Sequence, residues 1–255
     1  MLILNNQQLI NIASRLGNSM QKNGAETYRI EDSLARVLSA LGATNISVFA
    51  INSCIMVSMS SNDSPVVTEI RRCTEKGTDL YKIDKLNTLC RKICSGNLNY
   101  NEIIAEIDNI EAQKPYSFAV KLLGFTMVSV GFSYLFGGAL LEILAAFIVS
   151  LLVYPIICIF ERFKTGIFFK NIIASAATAF FTLLFSYLIS GIMVDIVIIG
   201  VFMNLVPGVA LASSIRDIIA GDLISGKNTL TEAVIIALGM ALGAGIILAS
   251  IPYAI

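Results

Sequence analysis

Residues 193–226 read MVDIVIIGVFMNLVPGVALASSIRDIIAGDLISG, and the reading of this stretch decides the fold. It opens as an apolar run of membrane grade and then carries Asn204, a Pro207-Gly208 break, Ser213, Ser214, an Arg216-Asp217 pair and Asp222. Lipid-facing helices avoid such groups, because an ionisable side chain near the bilayer centre costs on the order of 3 kcal/mol or more. A helix interrupted at mid-depth and flanked by polar groups is how many transporters build a solute site. The stretch points to the movement of a solute.

The rest of the chain supports a membrane reading and limits it to one part. Of the 255 residues 56% are hydrophobic and only 14% charged, outside the usual range of a soluble domain. The charges are unevenly placed. Residues 1–116 hold 12 of the 18 Lys+Arg and 12 of the 18 Asp+Glu, leaving six of each for the remaining 139 residues. We therefore expect a soluble domain at 1–114 followed by a membrane domain at 115–255. Net charge is zero, so nothing argues for nucleic acid, which calls for a basic patch. The N-terminus lacks the charged region and apolar core of a secretory signal, which places the first domain in the cytoplasm.

Five cysteines without a C-x-x-C, and no histidine anywhere, give no metal set; they read as small apolar residues in a reducing compartment. Without histidine, the commonest general base and every Ser-His or Cys-His arrangement are missing. No glycine-rich phosphate loop appears either. The expectation is a protein that is not an enzyme, has no cofactor and is not driven by ATP.

The first domain reads α+β. Apolar spacing predicts helices over 5–21 and from about Glu26 to Leu41, the second ending at Gly42. Asn45–Ile51, Cys54–Ser60 and Val66–Cys73 are rich in β-branched residues and separated by Asn-Ser and Ser-Asn-Asp-Ser-Pro turns, which predicts three antiparallel strands. Two more helices follow near Ile83–Cys94 and Tyr100–Gln113, with Ser95-Gly96-Asn97 between them.

After Lys114-Pro115 we expect an all-α bundle of five transmembrane helices, at about 117–136, 139–160, 171–190, 193–215 and 230–252. Each is near the ~20 residues that cross a ~30 Å hydrocarbon core. Tyr116, Tyr134, Tyr154, Tyr187 and Tyr253 fall toward span ends, as interfacial aromatics do. With the first domain inside, the cytoplasmic connections 161–170 and 216–229 hold Arg162, Lys164, Lys170, Arg216 and Lys227, with Lys121 near the inner end of the first span. The outer loops hold no Lys or Arg, so the positive-inside rule is met and Ile255 lies outside. Small residues mark expected helix contacts: Gly124 and Gly131, the run 174–177, and Gly239, Gly243 and Gly245. The Gly239-to-Gly243 spacing leaves packing within the chain and packing against another subunit both open.

Two motifs can now be compared with known families. Gly24-Ala25-Glu26-Thr27-Tyr28-Arg29-Ile30-Glu31-Asp32, followed by Leu41-Gly42, resembles the soluble-domain opening of the threonine/serine exporter family. So does Leu205-Val206-Pro207-Gly208-Val209-Ala210-Leu211, continuing through Ile215-Arg216-Asp217 to Ala220-Gly221-Asp222-Leu223-Ile224-Ser225-Gly226. The resemblance covers essentially the whole chain. It implies a proton-coupled secondary exporter of small amino acids. Ending after a fifth span, the chain is similar to the split form, in which a second small multi-span membrane subunit completes the carrier. That form is also associated with export of the C4-dicarboxylate succinate. Ser213-Ser214 stand where the family usually has a Thr-Asn type pair.

The polar residues then take provisional roles. Pro207 and Gly208 free backbone groups and expose a half-helix N-terminus, with Asn204 one turn before the break. Arg216 is a candidate clamp for a substrate carboxylate, with Ser213 and Ser214 beside it. Asp217 and Asp222 are candidates to hold Arg216, bind the partner or carry protons. Asp195 and Glu142, each near the outer end of a span, are weaker candidates for proton coupling. The competing reading of Arg216-Asp217 is an interfacial anchor with a simple proline kink, and the charged helix start at Glu26, Arg29, Glu31 and Asp32 reads either as a solvated, capped helix or as a contact with the membrane domain or partner. A non-transporting scaffold or sensor acting through the soluble domain is the alternative function.

Overall fold

The computed structural model describes residues 4–61, 65–74, 77–96, 98–163 and 165–250. Part of the second strand turn, Asn97, Lys164, Tyr253 and the C-terminal Ile255 lie outside the described residues. Chain contacts divide the molecule into two units, Met1–Lys114 with Ser213–Asn228, and Pro115–Ala212 with Thr229–Ile255. The sequence reading ran the membrane domain unbroken from 115; in the structure residues 213–228 belong with the first unit.

In the first unit, helix α1 (Asn6–Lys22) starts at a capping box: the Asn5 side chain accepts from the Gln8 N–H, and the Gln8 side chain accepts from the Asn5 N–H. It buries Leu9, Ile12, Leu16 and Met20 on one face. Gly24, at φ +88°, turns the chain into α2 (Thr27–Ala40), whose buried face is Ile30, Leu34, Val37 and Leu38. Gly42, at φ +90°, closes that helix at the expected glycine. The three expected strands, β1 (Thr44–Ile51), β2 (Cys54–Ser60) and β3 (Val67–Arg72), form an antiparallel sheet in the order β1-β2-β3. Ala50, Ile55, Val57 and Met59 face the core, while Phe49, Met56 and Ile70 point the other way in cross-strand register. Gly17 lets α1 approach; a Cβ there would sit 3.2 Å from Ile55 Cδ1 and closer still to Leu34.

Helix α3 (Leu80–Cys94) starts earlier than the apolar pattern suggested, because Asp79 caps it, accepting the Lys82 N–H at 3.1 Å. Helix α4 (Tyr100–Glu111) begins with an Asn99–Glu102 capping box. Burying a large aliphatic side chain from water stabilises by ~1.5–3 kcal/mol, and this unit buries many of them.

The second unit holds α5 (Phe118–Leu135), α6 (Leu140–Arg162), α7 (Ile167–Leu188) and α8 (Val194–Phe202). Helix α9 (Gly208–Ile219) leaves it at Ser213, and α10 (Leu223–Ser250) returns at Thr229. Among the described residues four helices, α5, α6, α7 and α10, are long and apolar enough to cross a membrane. The stretch expected as one span at 193–215 is broken rather than kinked. Its nine-residue first half, α8, is only ~14 Å long and cannot cross a ~30 Å core by itself. The residues expected as the connection 216–229 are largely helical, with Asp222 capping α10 by accepting the Ser225 N–H at 3.1 Å.

Inward faces in this unit mix Val149, Val153, Val197 and Val201 with many small or hydroxylated residues. Ser129, Ser150, Ser175, Thr178 and Thr182 each return a hydrogen bond to a carbonyl three or four residues earlier. Gly239 and Gly243 seat α10 against α7: a Cβ at Gly239 would meet the Phe168 carbonyl at 2.9 Å, and one at Gly243 would collide with Ile172 and Ser175. That glycine pair serves packing within the chain. The same expectation fails for Gly124, Gly131 and Gly245, where an added Cβ meets nothing within 4 Å. Composition shows small residues, but only the helix face shows which ones are pressed.

Candidate functional site

The break between α8 and α9 is built by residues 203–207. The Asn204 N–H still reaches the Val201 carbonyl, at 3.2 Å, and the Val206 N–H reaches Phe202, at 2.9 Å. Pro207, with no N–H to offer, then starts the new helix, where its carbonyl accepts from Leu211 at 2.9 Å. The Asn204 side chain fastens the turn by donating to Ser129 Oγ at 2.9 Å. Gly208 is the first residue of α9 and exposed.

Asn204, Leu205 and Pro207 line a cavity of about 370 Å³ whose wall also carries Lys121, Lys170 and Asn171. Lys170 pairs with Glu161 at 3.0 Å, and Asn171 donates to the Ile167 carbonyl at 2.7 Å. Lys121 makes no ion pair among the described residues. Two ammonium groups, two amides and one carboxylate make this hollow suited to a small carboxylate or zwitterion. Sequence reasoning singled out Asn204 and Pro207 but took Lys121 and Lys170 only as topology markers, and passed over Asn171 and Ser129. The missed signal was spacing. Thr126, Ser129 and Ser133 form one polar stripe on α5, and Asn171, Ser175, Thr178 and Thr182 another on α7, all buried.

The two outer carboxylates differ. Glu142 was expected at shallow, exposed depth; it is 2% exposed, and its Oε1 accepts the Met193 N–H at 3.0 Å just before α8. The cause is the return of the chain at 193 onto the start of α6. Its other oxygen, Oε2, is buried with no partner among the described residues. Asp195 is exposed and lines a separate cavity of about 540 Å³ with Ser186 and Leu248.

Arg216, Asp217, Asp222, Ser213 and Ser214 fall in the first unit. Here the two sequence motifs, nearly two hundred residues apart, come together. Arg216 donates to Glu26 Oε1, while Glu26 Oε2 lies 3.6 Å from Arg29 Nε. Thr27 Oγ1 donates to Asp222 Oδ2 at 3.3 Å, and Glu31 accepts the Ala50 N–H at 2.7 Å. The holder of Arg216 is therefore Glu26, not the neighbouring aspartates. Asp217 is 4% exposed. Its burial, together with the charges of Asp222 and Glu26, pushes its carboxyl above the usual range, with Arg216 partly offsetting. Burial also raises Glu31, opposed by the Ala50 N–H bond and aided by Asp222. Ser214 is fully buried, and Gly226 presses the first turn of α10 onto the Ser214 carbonyl and Ile218. Glu26, the residue before α2, makes no side-chain capping bond; the charged start at 26–32 instead reaches the second motif through Glu26 and Thr27.

Apolar helices of membrane length, packed with one that stops halfway beside two lysines, mark a membrane protein. Residues 11–251 match the family described as "Putative threonine/serine exporter", and the chain belongs to that family. It is similar to a "Probable threonine/serine exporter" of Mycobacterium tuberculosis (strain ATCC 25618 / H37Rv), at 23% identity over 242 residues, which cover 94% of this chain and 46% of the relative. The chain spans about half the length of the curated relative it matches. No solved structure matches. Family and apolar helices together make this a multi-pass membrane protein.

Proposed function

We propose that this chain is one half of a secondary exporter that carries a small carboxylate-bearing metabolite out across the cytoplasmic membrane, with threonine or serine as substrate. The observation that supports it most is the cavity at the α8–α9 break, where Lys121, Lys170, Asn171 and Asn204 meet Glu161. Lysine and amide donors suit a carboxylate, and Glu161 suits the ammonium of an amino acid. The same two lysines favour a succinate-type dicarboxylate as the second reading. In this proposal α8 and the start of α9, as far as Ala212, together make a fifth crossing, and a second small membrane subunit supplies the other half of the path. The N-terminal unit lies in the cytoplasm and the C-terminus outside, as the Lys and Arg distribution favours. Protons drive export, with buried Glu142 as the first candidate carrier and exposed Asp195 as the second. Arg216, held by Glu26, acts as a gating residue rather than a substrate clamp.

The test is efflux of labelled threonine, serine or succinate from cells lacking their own exporters and expressing this chain with its second subunit. Lys170→Gln and Asn204→Ala are expected to cut efflux at least tenfold with membrane abundance unchanged, and Arg216→Ala to abolish it. Full efflux in the Lys170 and Asn204 variants would remove the cavity from the path. No efflux of any of the three solutes, with both chains in the membrane, would favour a scaffold or sensor acting through the first unit.

A further inference from the structure

A second cavity, of about 1010 Å³, lies in the first unit between α2 and α3, and the exporter reading makes no use of it. On α2, Arg29, Asp32, Ser33, Arg36 and Ser39 recur at three- and four-residue steps, on the side turned away from Ile30, Leu34 and Val37. On α3, Asn87, Cys90, Arg91 and Cys94 do the same. Small side chains between the long ones keep the groove hollow.

The charge is one-sided: three guanidinium groups against the single carboxylate of Asp32. Arg36 is tied to Asp32 at 2.9 Å, but both side chains are more than half exposed, and such an i,i+4 pair is weak enough to open. The Arg91 guanidinium makes no hydrogen bond or ion pair among the described residues, and the side chains of Ser33, Ser39 and Asn87 donate to nothing there. The thiol of Cys90 at the floor is pushed up to about 12 by burial, so it adds no negative charge. The size stands at the top of the ~300–1,000 Å³ range of small-molecule sites and well above the cavity at the α8–α9 break.

We propose that this groove binds a phosphate-bearing metabolite of nucleotide size, and that Arg29 relays its occupancy to the Glu26–Arg216 pair. Guanidinium forks match phosphate oxygens two at a time, and three of them around one hollow favour a phosphate ester over a small carboxylate. Ala35, Ala40 and Cys90 offer an apolar bed for the rest of such a molecule. With no glycine-rich phosphate loop in the chain, the ligand is sensed rather than hydrolysed. The relay follows from the two oxygens of Glu26, one facing Arg29 and the other accepting from Arg216. An anion that draws Arg29 into the groove leaves Arg216 as the sole partner of Glu26 and tightens the hold on the 213–228 segment. Binding stands apart from the exporter reading; only its effect on export rests on it.

The experiment is calorimetric titration of the full chain in lipid nanodiscs with ADP, and with inorganic phosphate and succinate as comparators. Saturable ADP binding is expected, with phosphate weaker and succinate absent. Arg91→Gln and Arg36→Gln should each weaken ADP at least tenfold, while Lys92→Gln, exposed on α3 outside the groove, should not change it. No ADP binding at millimolar concentration, succinate binding as tightly as ADP, or an equal loss in Lys92→Gln would overturn the site. Hydrogen exchange reads the relay: ADP should slow exchange at 220–226 in the native chain but not in Arg29→Gln. Unchanged exchange in the native chain with ADP bound would overturn the relay.

Discussion

The two units solve the same packing problem with opposite materials. The first puts Leu9, Leu16, Leu34, Leu38 and Leu86 inside. The second turns Leu123, Leu144, Phe147 and Leu238 outward and packs through Ala146, Ser150, Ser175, Thr178 and Gly200. Water expels a leucine, so burying one is a driving force for the first unit. Lipid is as apolar as leucine, so helices there gain from close approach and from satisfied hydroxyls instead. A residue's place therefore depends on the surrounding medium more than on its own hydrophobicity.

Substitutions can break this contrast. Leu34→Ala is expected to cost ~2–5 kcal/mol, whereas Leu144→Ala, half exposed on α6, should stay within ~0.5 kcal/mol. Thermal unfolding in detergent compares them, and equal losses would end the distinction. Gly200→Val should cost ~1–3 kcal/mol, because its side chain collides with Ser133 and meets the Ser129 carbonyl where α8 crosses α5. Gly131→Ala, with open space around it, should be tolerated in the same assay.

The smallest effect concerns charge. The folded-state pKa of Asp217 is raised above its ordinary 3.8, so its protonated form is the one the fold prefers. The associated stability is complete below the unfolded value and is lost as pH rises through the folded one. Asp217→Asn should accordingly raise the melting temperature at pH 7 and match the native chain at low pH. A variant less stable than the native chain at pH 7 would mean that the carboxylate is needed charged.

Much of this fold is legible along the chain because it is local. Capping residues, apolar periodicity and turn glycines marked the seven expected elements of the first unit to within a few residues, with Asp79 extending one helix and Asn99 starting another. The break at Pro207 was equally local. What the sequence could not show were meetings across distance: Glu26 with Arg216, Thr27 with Asp222, and Asn204 with Ser129. The lysines at the cavity were visible but misassigned, since a lysine near a span end satisfies topology and ligand binding with the same charge.

Helix α8, finally, is too short to hold itself; isolated helices below ~12–15 residues are marginal. It is pinned at three points: Met193 on Glu142, Gly200 against Ser133, and Asn204 on Ser129. Mechanically it is a strut, whose tilt is set by two pins and whose rotation is set by the third. Release of one leaves a hinge axis through the other two. The Glu142 pin is a carboxylate, the kind of fastening that a single proton can loosen.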